Sequence, residues 1–585
     1  MATVPPFRLI PGFQSVNWAA HSAVALALFA GVSHAQVSQP PVVDPVPEQR
    51  RQLERERAIR EREEPRVDVQ SAPAAGTQSR LPAGEMPCFD INQITLRGDA
   101  ADRFAWALNS LSGPSSDDSP FGKCLGAEGI NVVLQRTQDA LIAQGFITSR
   151  ILAEPQDLKS GTLALTVIPG RIRAIRFAPG TTNRATAANA IPANPGDIPN
   201  LRNIEQGLEN FKRVPTAEAD IKIEPAEGEN AKPGESDLVI TYSQSNPFRV
   251  SLSADDSGSK GTGKFQGNLT VSYDNLLAIN DLFYVSLGRD LGGADVGPRG
   301  THARTVHYSV PYGFWLVAAT ASSSNYFQTV FGASQDYIYK GTSSTAEVKL
   351  SRLIYRDASR KTSLALRGFQ RRSNNFIDDT EVEVQQRKVG GWEASINHRE
   401  FLGQASVDGT VSYKRGTGAF NSLAAPEEAF GEGTSRFAVV TADVNVNAPF
   451  SLGTQKVRYS GTWRIQNNRT PLTPQDRLAI GGRYSVRGFD GVGSLSAERG
   501  WTVRNEISMP LGQSGQEFYT GLDFGRVGGP SSVDLIGKSM AGAVVGLRGV
   551  VMGLQYDVFV GAPVRKPEGF KTASRTAGFN LNYSF

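Results

Sequence analysis

From Phe248 to Phe585 apolar and polar residues alternate in short segments separated by Gly, Asn, Asp and Ser. Phe248, Val250, Leu252 and Ala254 alternate with Arg249, Ser251 and Ser253, and Phe283, Val285 and Leu287 repeat the pattern. Val306, Tyr308 and Val310 run into Pro311-Tyr312-Gly313, which reads as a tight turn, and Trp315, Val317 and Ala319 resume the alternation. Val457, Tyr459, Trp463 and Ile465 form another such set. A period of two with one apolar face is the mark of a β-strand. A soluble sandwich shows the same alternation, but three features favour lipid. The second face is small and polar, as a wet lumen requires. Aromatic residues gather near strand ends, as interfacial girdles do. The last strand reads Phe579, Leu581, Tyr583, Phe585, so the chain stops on an aromatic residue. Residues 246–585, at roughly 20 per strand and connection, predict an antiparallel transmembrane barrel of about 16 strands.

The amino terminus supports export. The one long apolar run, Ala23 to Val32, is shorter than the roughly 20 residues a membrane helix needs. Arg8 and His21 precede it and Ser33-His34-Ala35 follows, so residues 1–35 read as a signal peptide cut after Ala35. An exported chain without a membrane helix is integral to a membrane only as a closed barrel. The formal net charge of +4 is too mild to point to nucleic acid, and no dense basic patch with interleaved aromatics appears.

Two similar units precede the barrel. In residues 87–168, Ile91, Ile94 and Leu96 mark a strand, and a helix follows from about Ala101 to Leu111. Ile130, Val133, Leu134 and Leu141 then recur at helical spacing, and two strands close the unit around Ile147 to Ala153 and Leu163 to Val167. Residues 171–243 open at Ile172 and Ile175, and Leu201, Ile204, Leu208 and Phe211 mark a helix. The unit closes with Ile221 and Ile223, then Leu238, Ile240 and Tyr242. The first unit holds Cys88 and Cys124, the only two cysteines, and an even pair in an exported chain predicts a disulfide.

Residues 36–66 include Glu48 to Glu64, where Arg50, Arg51, Arg55, Arg57, Arg60 and Arg62 interleave with six Glu. Glu56–Arg60 and Arg60–Glu64 sit at helical i,i+4 spacing, while only Leu53, Ala58 and Ile59 are apolar, so a helix here has no face to bury in a core. Such a helix suits bulk water as a linker, or a water-filled lumen as a plug. Residues 67–86, rich in Ala, Pro, Gly and Ser, read as a tether.

Nothing supports catalysis. Among five His, two lie before residue 35, and neither HExxH nor G-x-S-x-G occurs. Gly258-Ser-Lys-Gly-Thr-Gly263-Lys264 imitates a phosphate loop, but Phe265 stands where the magnesium-binding hydroxyl belongs and strands flank it, which predicts a hairpin turn. No cofactor or metal is implied.

The β-α-α-β-β order, occurring twice ahead of a barrel, resembles POTRA (polypeptide-transport-associated) domains, whose sheet edges bind clients by strand addition; simple spacer domains are the alternative. Signal, charged helix, tether, two such units and a barrel together resemble the two-partner secretion transporters (TpsB), which include the filamentous-haemagglutinin and haemolysin transporter/activator proteins. Gly481-Gly-Arg-Tyr-Ser-Val486-Arg487-Gly488-Phe489 matches the family's Val-Arg-Gly-Phe/Tyr loop motif, and Gly521-Leu-Asp523-Phe-Gly525 matches a barrel-wall motif. The resemblance implies that the loop folds into the lumen and Arg487 pairs with Asp523. A guanidinium fork suits a carboxylate, Gly488 suits a tight tip, and Gly521 and Gly525 leave room. By a wider resemblance to outer-membrane proteins, Phe585 serves as the signal for the barrel-assembly machinery. The implied function is ATP-independent passage of a TpsA-type exoprotein, recognised by its amino-terminal secretion domain, across the outer membrane of a Gram-negative bacterium, by a monomer embedded in outer-membrane lipid. A barrel-assembly factor and a diffusive porin are the competing expectations; the charged helix and the pair of front units speak against them.

Overall fold

Backbone N–H and C=O groups find no partner in hydrocarbon, so strands that cross a bilayer must pair on both edges and close. In the structure, a computed structural model, residues 43–64, 67–70, 79–113, 116–182, 184–229, 231–332 and 334–585 are described. The signal-peptide expectation at 1–35 lies outside them.

Sixteen antiparallel strands among the described residues form one closed barrel, each paired with its neighbours in sequence; the two-residue strand Thr380–Glu381 only caps the tip of Arg360–Ile377. The circle closes where Thr576–Ser584 pairs with Phe248–Asp255, in the register Asn580↔Asp255 to Ser584↔Ser251. Phe585 follows: its amide donates to the Val250 carbonyl at 2.9 Å, and its ring meets Tyr583 edge-on at 4.8 Å. Connections on the side of the front units are short, at 313–314, 403–404, 453–454 and 552–553. Those on the far side are longer, above all 418–437 and 469–498. This asymmetry is that of periplasmic turns and extracellular loops. The phosphate-loop imitation is the hairpin connection between Phe248–Asp255 and Phe265–Asp274.

The helix α1, Val46–Glu63, lies inside the barrel, bonded to its wall and to the long loops. Eighteen residues at 1.5 Å each make it about 27 Å long, enough to run the depth of the pore.

In the first front unit, Gln93–Gly98 pairs in parallel with Thr162–Ile168, which pairs antiparallel with Arg150–Leu152. The helix α2, Ala127–Ala143, packs Val133 and Leu141 against Ile94, Leu163 and Leu165. The helix expected before it is one α-turn, Ala101–Phe104, continued as the tighter Ala105–Ser110. A pair of three-residue strands, Phe89–Ile91 and Lys123–Leu125, is additional to the expected order and places Cys88 and Cys124 together as a disulfide. Asp118 anchors the chain entering this unit. Burial alone would raise its carboxyl, but Lys123, the Leu81 amide and Arg136 hold it well below the usual carboxylate range.

In the second unit Arg171–Phe177 and Ala217–Pro225 flank the central Glu235–Gln244. The helix α3, Leu201–Lys212, buries Ile204, Leu208 and Phe211 against Leu238, Ile240 and Tyr242.

Cys88 and Cys124 are 36 residues apart, a loop whose closure stabilises by about 4 kcal/mol on the chain-entropy model. Replacing both by Ser should therefore lower the urea midpoint for proteolysis within residues 89–168 of the intact protein and leave the barrel's heat-modifiable mobility unchanged. An unaltered midpoint would refute the assignment of a stabilising staple.

Candidate functional site: the occupied lumen

The long loop 469–498 folds inward, carrying the small hairpin Leu478–Ile480 with Leu495–Ala497. Its tip places Arg487 against the strand Gln516–Gly528, whose inward positions are Tyr519, Gly521, Asp523, Gly525 and Val527. Arg487 Nε donates to Asp523 Oδ2 at 2.7 Å and Nη2 to Oδ1 at 2.9 Å, while the Arg487 backbone amide adds a third bond at 3.0 Å. Arg487 Nη1 reaches Glu506 Oε2 at 2.7 Å, and Arg548 Nη1 holds the other Glu506 oxygen at 2.6 Å. Asp523 is fully buried and Arg487 nearly so. A buried pair is tolerated only when its remaining hydrogen-bonding capacity is met, and Glu506, Arg548 and the Arg487 amide meet it.

Small residues let the loop approach. A Cβ on Gly521 would stand 2.5 Å from Arg487 Nη2, and one on Gly525 would stand 2.8 Å from Val486 Cγ2. Gly488 has φ +94°, a conformation a side chain resists, and its own Cβ would strike the Ala562 carbonyl at 2.5 Å. Gly542 lies directly under the Arg487 carbonyl. Val486 and Phe489 bury themselves with Ile480, Val527, Met540 and Phe570. The loop is thus held by charge at its tip and by an apolar cluster beside it.

The helix α1 is held differently. Near the loops, Glu48 takes Arg51 at 3.0 Å, Arg55 at 3.1 Å and the Thr262 hydroxyl at 2.9 Å, and Arg50 donates to Ser496 at 2.8 Å. Deeper, Glu347 on the wall accepts from Arg60 at 2.6 Å and from Arg367 at 2.7 Å, and Arg367 continues to Glu393. At the periplasmic end Glu63 meets Ser272 at 3.0 Å and Arg249 at 3.3 Å. The sequence spacing offered Arg60 to Glu56 or Glu64; Arg60 takes Glu56, at 3.2 Å, and Glu64 lies 3.0 Å from His307 on the wall.

After α1, Asp68 and Val69 pass between the second unit and the barrel rim. Glu209 of α3 accepts from the Val69 amide at 2.8 Å and from Lys361 at 2.5 Å. Arg356 bonds Glu205 and Glu209, each at 3.0 Å, and the Val69 carbonyl. Asp68 binds Lys361 at 2.8 Å and Arg399 at 2.6 Å.

Comparison with known proteins fits this geometry. The family profile described as haemolysin secretion/activation protein ShlB/FhaC/HecB matches residues 234–549. Two POTRA profiles match the front units, the ShlB-type at 89–170 and a second at 171–225. The chain is 36% identical to outer membrane transporter CdiB-2 of Burkholderia pseudomallei (strain 1026b), over 86% of this chain and 87% of that protein. The chain belongs to the ShlB/FhaC/HecB haemolysin secretion/activation family. The solved structure of CdiB from Acinetobacter baumannii superposes with a TM-score of 0.81 at 30% identity, covering 93% of this chain and all of that one. A more distant relative is the hemolysin transporter protein HpmB of Proteus mirabilis, 24% identical over 72% of each chain. The family consists of transporters rather than enzymes; the barrel is an outer-membrane one, with its POTRA domains in the periplasm.

In this transporter, sequence reasoning named both ends of the Arg487–Asp523 contact and missed its relays. Glu506 belongs to Arg504-Asn505-Glu506, a stretch the resemblance expects, but no role for it was read there; Arg548, Glu347, Arg367 and Arg356 are wall or rim charges with no local pattern, and only their inward register singles them out.

Removing one partner of a buried pair strands the other charge, at about 3–5 kcal/mol, whereas the strand ladder is untouched. Arg487→Ala and Asp523→Ala should each open loop 481–498 to external protease on intact cells while heat-modifiable mobility persists. Arg487→Lys should protect only partly, because an ammonium lacks the fork. A loop that stays fully protected in both alanine variants would disprove the lock.

Proposed function

We propose that this protein carries an unfolded TpsA-type exoprotein, haemolysin-like in its secretion domain, from the periplasm through its lumen to the cell surface. Residues 1–35 direct export, 36–66 plug the pore, 67–86 tether the plug, the POTRA units at 87–168 and 171–243 receive the client, and 246–585 form the channel. Phe585 serves the barrel-assembly machinery during insertion, and the working unit is a monomer in outer-membrane lipid. No nucleotide is hydrolysed; folding of the client outside draws it across.

The chemistry of the pore filling supports this above all else. The contacts of α1 with the wall are ion pairs and polar hydrogen bonds. No apolar cluster accompanies them among the described residues, and their polar groups are ones that water or a hydrated chain also satisfies. A hydrated polypeptide can take the place of such a helix, whereas an apolar plug would have to be torn from its seat. The loop with Arg487 stays, since Val486, Phe489 and their apolar neighbours anchor it beside its ion pair, and it narrows the pore around the passing chain.

Client reception is supported by the sheet edges. Among the described residues, Ala217–Pro225 pairs with Glu235–Gln244 on one side and with no strand on the other, leaving nine residues for strand addition. In the first unit the edge strand Arg150–Leu152 is occupied by a side chain: Gln138 accepts from the Ile151 amide at 3.0 Å and donates to the Ser149 carbonyl at 2.9 Å.

Photo-crosslinkers at Asp220 or Lys222 in the full-length protein, with a co-expressed exoprotein, should capture its amino-terminal domain. The same probe at Lys159 should not. In the same cells Arg487→Ala and Asp523→Ala should cut the secreted exoprotein about tenfold or more, the loss of at least 1.4 kcal/mol. Capture of nascent barrels instead of the exoprotein, or normal secretion from both variants, would overturn the proposal.

A further inference from the structure

The barrel wall is unequal in height. Trp315–Phe331, Asp336–Arg356, Arg360–Ile377 and Arg387–Leu402 have 17, 21, 18 and 16 residues, against 8 in Phe248–Asp255 and 9 in Thr576–Ser584. About 9–11 residues cross the hydrocarbon, so the long strands project past it on the loop side.

Register then shows what their outer face carries. Phe283, Tyr308, Ala319, Val348, Gly368 and Trp392 form one outward row across adjacent strands. The row of Val285, Val306, Ala321, Ala346 and Gln370 lies above it, and the two rows are apolar apart from the Tyr308 hydroxyl and the Gln370 amide, as lipid contact requires. Two residues further toward the loops the chemistry changes: Arg304, Ser323, Ser344, Arg372 and Lys388 lie opposite one another in sequence. The next row holds Arg289, His302, Asn325, Thr342 and Asn374. On the short side, Ala254, Phe265 and Phe579 keep the outer face apolar to the strand ends.

Arg289, Arg304, Arg372 and Lys388 have no carboxylate partner among the described residues, although Arg249, Arg367, Arg487 and Arg548 inside the lumen are all paired. Arg372 and Lys388 face each other directly, and like charges so placed repel unless an anion joins them. Beside them is an outward hollow of about 500 Å³ lined by His302, Asn325, Phe327, Thr342 and Phe376, together with Asp378 and the Lys340–Asp379 ion pair.

We propose that this face binds the phosphorylated glucosamine headgroup of outer-leaflet lipopolysaccharide. The phosphates sit on Arg304, Arg372 and Lys388, and the acyl chains descend over Val306, Ala319 and Val348. The abrupt step from apolar rows to unpaired cations selects an amphiphile over a soluble anion. Guanidinium groups suit phosphate oxygens, and basic clusters at a headgroup plane recruit anionic lipid.

The test uses full-length protein in detergent micelles, titrated with fluorescent lipopolysaccharide. Each cation at an anionic lipid surface contributes about fivefold in affinity, so R304A/R372A/K388A should weaken binding about a hundredfold. Lipopolysaccharide stripped of its phosphates should bind the unaltered protein equally weakly. R526A, which removes an outward cation elsewhere on the wall, should change nothing, and R304K/R372K should retain most of the binding. Heat-modifiable mobility confirms folding in each case. Equal affinity of the triple variant and the unaltered protein overturns the proposal, as does equal affinity for phosphorylated and dephosphorylated lipid. A triple variant that keeps the lipid but loses exoprotein secretion would make this face a client contact, and would also overturn it.

Discussion

Every amide in the membrane-crossing part of this chain must find its partner within the wall, because hydrocarbon offers none. That single requirement closes sixteen strands into a ring, joined where Asn580 to Ser584 meet Asp255 to Ser251. Closure at this circumference has a geometric consequence: a ring of about eight strands is filled by its own side chains, whereas about sixteen leave an aqueous channel. The inward face is therefore wet, and whatever fills the channel must be polar.

Two fillers answer that demand with different bonding. The loop carrying Arg487 is tied to a fully buried carboxylate and flanked by Val486, Phe489, Met540 and Phe570. The helix α1 lacks any apolar seat and relies on charges such as Glu347 and Arg249, which line the wall whether or not the helix is there. The pore's contents thus differ in what surrounds their charges: an apolar cluster beside the loop's ion pair, polar and charged groups alone around the helix.

Much of this was legible in the sequence, for identifiable reasons. Alternation along Phe248 to Phe585 encodes the barrel because lipid and water impose opposite demands on successive residues. Leu201, Ile204, Leu208 and Phe211 encoded α3 because helical spacing aligns them on one core. Arg487 and Asp523 were legible through short motifs. The relay was not: Glu506 and Arg548 are 42 residues apart, and Arg548 resembles any other charge on a wet face. The strands beside Cys88 and Cys124 have three residues each, too few to display a period. The run from Glu48 to Glu64 suited bulk water and lumen alike, and only contacts such as Arg60–Glu347, far apart in sequence, distinguish them.

Glu209 is a carboxylate shared among three bodies: it holds the Val69 amide on the plug's tether, Lys361 on the barrel, and its own helix in the second POTRA unit. Sharing of this kind makes the three positions thermodynamically linked. Any event that loosens the second unit from Arg356 and Lys361 lowers the work of withdrawing the tether by the same free energy, and withdrawal of the tether loosens the unit in return. In the proposed passage of a client, occupancy of the pore and posture of the periplasmic domain are linked through this one side chain.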